Sequence, residues 1–132
     1  MFDLNAHNGA TLAYVGDAVI ELYLRGALLS LGFTDTGKLS AMAQKLVCAP
    51  MQSDLTESLL PMLTPEEEAI YRLGRNYRTH AKPKHATPAQ YSRATGMEAV
   101  FGYLHLTGQT ERATQLLSEI YDEKIAQFQD IH

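Results

Sequence analysis

The stretch ATLAYVGDAVIELYLRGALL, residues 10–29, constrains the fold more than any other part of the chain. Leu12, Val15, Val19 and Leu22 recur at helical spacing, and Ala13, Ile20, Leu24 and Leu28 are apolar on the opposite side. A helix that is apolar on nearly all faces is expected at the centre of a domain, buried all round. Yet this one carries Asp17 where packing alone asks for a hydrophobe. The stretch TGMEAVFGYLHL, residues 95–106, repeats the pattern around Glu98. An acid inside an apolar helix is costly unless it is paired or holds a cation, so each is a candidate metal ligand.

No strand pattern competes with helix elsewhere. Gly32 suits a helix stop after Leu31, and Thr34 or Thr36 begins a second helix that runs to about Val47. Pro50 opens a third, Met51–Leu60. Thr64, Pro65 and Glu67 form an N-cap, a first-turn proline and a capping-box acid, which start a helix that runs to about Asn76. The segment from Arg78 to Gln90 holds Pro83 and Pro88 with little apolar content and reads as an exposed loop. Helix resumes over Ser92–Leu106, and Thr110–Phe128 closes the chain with Ala113, Leu116, Leu117, Ile120, Tyr121 and Ile125 inside. The expectation is a single all-α domain of about six or seven helices, with no internal repeat.

A chain of 132 residues, 45% hydrophobic and 20% charged, is long enough to bury a core without disulfides. One cysteine, Cys48, leaves no intrachain disulfide and no Cys-rich zinc site, which suits a reducing, cytoplasmic setting. The N-terminus MFDLNAHNG lacks a basic region followed by an apolar run, so no signal peptide is expected. No apolar run reaches the ~18 uncharged residues that a membrane span needs.

The net charge of −4 argues against a polyanion partner until its distribution is considered. Between Ala69 and Met97 there is no Asp or Glu, whereas Arg72, Arg75, Arg78, Lys82, Lys84 and Arg93 all fall there. The other residues hold five bases against fifteen acids. An acidic body with one basic face would repel RNA except where it docks. The plainer reading is a solvated helix end and loop that happen to be basic.

On a helical wheel Asp17 shares its face with Ala13, Ile20, Leu24 and Glu21, and Glu98 shares its face with Thr95, Phe101, Gly102 and His105. Gly16 and Gly102 remove bulk beside the two acids, so the helices can cross closely and bring both carboxylates to one ion. Mg²⁺ retains several waters, so two or three carboxylates suffice for it. Taken singly, either acid reads more simply as an exposed or hydrogen-bonded helix residue than as a ligand. Glu21 is a third acidic candidate, and its plainer reading is an i, i+4 pair with Arg25. His80 and His85 lack zinc spacing. His105 could orient Glu98, but a satisfied buried histidine is the simpler reading. Tyr71 reads as core, while Tyr77 and Tyr91 flank the basic segment. Met42, Met51, Met62 and Met97 read as filler in apolar layers.

Three motifs, LAYVGDAVIELYLR, RLGRNYR and YSRATGMEAVFGYLHLTG, resemble in that order those of Mini-ribonuclease III, the small bacterial branch of the ribonuclease III superfamily. The resemblance runs from about Asn8 to Leu117, and GDAVIELYLR and MEAVFGYL are its specific parts. It implies the helical fold of a ribonuclease III catalytic domain over residues 1–132, without a double-stranded RNA-binding domain. It further implies a homodimeric, Mg²⁺-dependent endoribonuclease of double-stranded RNA that leaves 5′-phosphate and 3′-hydroxyl ends, each subunit cutting one strand. The usual role of the family is maturation of the precursor of large-subunit (23S) ribosomal RNA. A ribosomal protein or the assembling ribosome is a further candidate partner. Asp17 and Glu98 match the motif acids that hold catalytic metal. Arg72, Arg75, Asn76, Arg78, Lys82, Lys84 and Arg93 would contact RNA. Leu12, Ala13 and Tyr14 stand where the longer enzymes carry acids, and Thr95 stands where they carry an aspartate. The remaining metal ligands are therefore open. Two other readings compete: a non-catalytic RNA-binding or ribosome-assembly module of the same fold, and a helical protein–protein adaptor.

Overall fold

A computed structural model describes residues 2–77 and 85–131. Six α-helices run in chain order: α1 Gly9–Leu29, α2 Thr36–Val47, α3 Ala49–Leu59, α4 Pro65–Arg75, α5 Pro88–Leu106 and α6 Thr110–Ala126. Short 3₁₀ segments precede α1, follow α3 and follow α6, and no strand occurs among the described residues. The all-α expectation therefore holds. No helix of the described residues is long and apolar enough to cross a membrane.

α5 is the hub, packing on α1, α3, α4 and α6. Its Met97, Val100, Phe101 and Leu104 are fully buried in one core cluster that also holds Leu12, Ile20, Leu24 and Leu28 of α1 and Leu116, Leu117 and Tyr121 of α6. Tyr71 is core, as expected, and so are Met42 and Met97, whereas Met51 and Met62 are only partly buried.

Local sequence explains where the helices begin. Thr64 and Thr87 make the same reciprocal capping box, each hydroxyl accepting from the N3 amide while Glu67 or Gln90 accepts from the cap amide. Pro88 therefore occupies the first position of α5 and does not mark a loop, and the helix begins four residues before the expected Ser92. Asp35 caps α2 and Asn8 caps α1. After α1 the chain turns through Ser30–Gly32, with Gly32 left-handed at φ 101.

Two polar connections hold distant elements together. Glu67, only 3% exposed, receives Arg112 Nε at 3.0 Å and Nη2 at 3.0 Å, and the same Nη2 donates to the Met62 carbonyl at 2.7 Å. This ties the starts of α4 and α6 to the turn after α3. Tyr23 of α1 and Ser118 of α6 both donate to Asp122 at 2.5 Å.

α1 departs from expectation. Only one face is buried, through Leu12, Ala13, Gly16, Ile20, Leu24 and Leu28. On the other face Tyr14 is 82% and Leu22 76% exposed. Val15, Ala18, Val19 and Leu22 line one side of a groove of about 490 Å³ whose opposite wall is Thr110, Ala113, Thr114 and Leu117 of α6, with His105 at its end. The apolar stripe that reads as interior in the sequence is surface in the single chain.

Candidate active site

The α1–α5 crossing sets the geometry of the acids. Gly16 lies on the Glu98 carbonyl and Gly102 on the Leu12 carbonyl, so closely that a β-carbon at either position would overlap the opposing oxygen. The two backbones meet with no side chain between them, the closest approach that ridge-and-groove packing permits. Asp17 and Glu98, each adjacent in sequence or space to that contact, then face one another.

Their carboxyl groups hydrogen-bond, and Glu98 is pushed up from its ordinary 4.5 to about 8. Burial of the half-buried Glu98 is the largest cause, followed by the charge of Asp17 and the shared hydrogen bond. Glu98 therefore keeps its proton near neutral pH, because a second charge beside Asp17 is disfavoured. A divalent cation resolves the same repulsion. Among the described residues no group of three or more His, Cys, Asp or Glu side chains is arranged to hold a metal. Two carboxylates suit Mg²⁺, which completes an octahedron with water and phosphate oxygens. The donor set therefore fits that ion.

Glu21, one turn beyond Asp17, is half-buried, and its Oε2 accepts from Arg25 Nε at 2.9 Å. The arrangement brings Asp17 and Glu98 together and gives Glu21 an arginine partner. Thr95 donates to the Tyr91 carbonyl within α5. His105 is exposed at the far end of α5, two turns beyond the crossing, so it neither orients Glu98 nor is buried. That expectation is corrected: the helix carries it past the acid pair to the groove.

α4 delivers its basic end to the same region. Gly74 packs so tightly on Thr95 and Ala99 that an added β-carbon would lie 2.8 Å from the Thr95 carbonyl oxygen and 2.8 Å from the Ala99 β-carbon. The last turn of α4 thus abuts the turn of α5 that precedes Glu98. Arg75 lies 5.9 Å from the centre of the Tyr71 ring and its Nε donates to Asn76 Oδ1. Arg72 pairs with Glu68 at 2.9 Å in an exposed bridge worth little in water. Arg93 is exposed on the second turn of α5. Arg78, His80, Lys82 and Lys84 lie outside the described residues.

Sequence reasoning passed over Gln52 and the hydroxyl of Tyr121. Gln52 stands three and seven residues before Leu55 and Leu59, a core register, and is 2% exposed. A polar residue at a core position was the available signal.

The profile described as Ribonuclease III domain matches residues 10–109. The chain is 46% identical over 120 residues to Mini-ribonuclease 3 of Enterococcus faecalis, covering 89% of this chain and 91% of the relative. It is 44% identical to Mini-ribonuclease 3 of Streptococcus pneumoniae, again over 120 residues, covering 89% of this chain and 94% of the relative. A crystal structure of a protein from Fusobacterium nucleatum superposes with a TM-score of 0.83 at 26% identity, covering 94% of this chain and 99% of that one.

Proposed function

The chain belongs to the ribonuclease III family, with relatives named Mini-ribonuclease 3, and is an endoribonuclease; on that premise we propose that it cuts double-stranded RNA in a Mg²⁺-dependent reaction at Asp17 and Glu98. The observation that carries this reading is the contact of the two carboxyls across a backbone-to-backbone helix crossing. Asp17 and Glu98 would hold the ion, with Glu21 a third candidate acid. A divalent ion supplies charge neutralisation at the scissile phosphate and acidifies water for attack. The residues contribute the rest: Glu98 would release its proton to solvent on becoming a ligand, and the crossing fixes where both carboxylates stand. Arg72, Arg75, Asn76 and Arg93, together with Arg78, Lys82 and Lys84, would bind phosphates of an A-form duplex, which is recognised by shape and backbone. The packing of the α4 terminus against the turn before Glu98 supports this reading.

The substrate we assign is the precursor of large-subunit ribosomal RNA, with the assembling ribosome or a ribosomal protein as partner. We also assign a homodimer. Its support is the exposed apolar face of α1, since a stripe as bare as Tyr14 and Leu22 is unusual on a monomer.

The test is incubation of purified protein with duplex and single-stranded RNA, with and without Mg²⁺. Cleavage is expected of the duplex alone and only with the ion. Asp17→Asn or Glu98→Gln should lower cleavage by more than the roughly 100-fold that losing an outer-shell partner costs. Duplex binding in Ca²⁺ should remain. Full activity in either variant removes the catalytic assignment.

A further inference from the structure

The groove between α1 and α6 plays no part in the chemistry at Asp17 and Glu98. Val15, Ala18, Val19 and Leu22 form one wall, Ala113 and Leu117 contribute to the other, and His105 stands at its end. No Asp, Glu, Lys or Arg lines it, and its titratable side chains are Tyr23 and His105. Tyr23 stays neutral, because burial and its hydrogen bond to Asp122 push its hydroxyl up to about 12. Along α5 the nearest acid to His105 is Glu98, two turns back and engaged with Asp17. His105 itself is exposed. Histidine is the side chain that ordinarily gains its charge between about pH 5 and 8, so His105 alone among the lining residues can charge there.

The rim indicates what covers this groove. Leu22 lines it and also projects from it, 76% exposed, and Tyr14, 82% exposed, stands one turn before Ala18. One patch thus carries a hollow and two protruding side chains, which a two-fold interface requires of a surface that must fit its own copy. The groove also brings no fixed charge, so an identical surface meets no like charge within it.

Resting on the homodimer reading above, we propose that a second copy of this chain seats on the groove and covers His105, so that protonation of the imidazole opens the dimer. In the free chain the imidazolium is hydrated. Under an apolar cover it loses that hydration, and the groove holds no carboxylate to replace it. Association therefore selects the neutral imidazole in both subunits, and protons are taken up when the subunits part. By linkage the dimer is tightest above the histidine range and weakens as pH falls through it.

Sedimentation of the whole chain from about pH 8 down to about pH 5.5, at constant ionic strength, reads the dimer dissociation constant. It should rise at least about tenfold over that range, since two imidazoles must charge. His105→Gln has no charge to gain; its dimer should be as tight at the upper end and should lose most of this dependence. His105→Lys carries its charge throughout and should dissociate at least about tenfold more readily at the upper end. A slope unchanged in His105→Gln assigns the effect to other groups and overturns the proposal, as does a constant that does not vary with pH. A His105→Lys dimer as tight as the unaltered one shows His105 uncovered and overturns it too. If Leu22→Asp abolishes association while the pH dependence survives in His105→Gln, the dimer stands and this inference fails alone. A monomer at every pH removes the homodimer reading and this inference with it, and leaves the groove to another partner.

Discussion

Folding raises Glu98 from 4.5 to about 8, and the direction fixes how the protein responds to pH. Below the ordinary glutamate range both folded and unfolded chains hold the proton, and the stability that protonated Glu98 contributes is fully present. Between that range and about 8 only the folded chain holds it, so stability falls as pH rises and the contribution is gone above the folded value. The metal-free thermal midpoint should therefore decline across this window, and Glu98→Gln should flatten the decline. An equal slope in that variant would trace the effect to other groups. Glu67 does not interfere. Burial pushes it up, but Arg112 and the Thr64 amide outweigh burial and hold it below the ordinary range, so its contribution is lost only as pH falls. At this scale the acids were legible because each interrupts an apolar helix. Gln52 was harder to see, because a glutamine beside Ser53 and Asp54 looks like a surface turn of α3 until its register with Leu55 and Leu59 is counted.

Among the elements, the α1–α5 crossing is the most sensitive joint. Gly16→Ala places a β-carbon into the Glu98 carbonyl, and backbone cannot yield as a side chain does. We expect a loss of about 3 kcal/mol in chemical unfolding, with cleavage falling as the acids separate. Gly26→Ala is the control: the same helix has open space there, and alanine should add up to about 1 kcal/mol. Equal effects at the two positions would mean that helix propensity, not the crossing, is being measured. The capping box made the α4 start readable. The α5 start is less legible, because Pro88 resembles a breaker although Thr87 and Gln90 repeat the pattern of Thr64 and Glu67. Proline ends a helix from within and begins one from its first turn, and only the flanking residues tell which.

For the whole molecule, the bare side of α1 was misread because hydrophobic periodicity reports burial without saying by which chain. Leu22→Asp should raise the dimer dissociation constant at least about tenfold, because burying a leucine is worth about 1.5–3 kcal/mol and 1.4 kcal/mol is tenfold. Sedimentation would reveal it, and an unchanged association constant would move the interface elsewhere. Replacing Arg72 and Arg75 with Gln should weaken duplex binding and reduce the slope of log affinity against log salt by about one unit per lost phosphate contact. An unaltered slope would locate the RNA on another face. Glu66, Glu67 and Glu68 open α4, and Arg72 and Arg75 close it, about 10 Å apart at 1.5 Å per residue. That rod is a compass needle fixed in the body of the protein. In the field of a nearby duplex it experiences a torque before any contact forms, so the molecule would arrive with its arginines leading and its acidic side trailing.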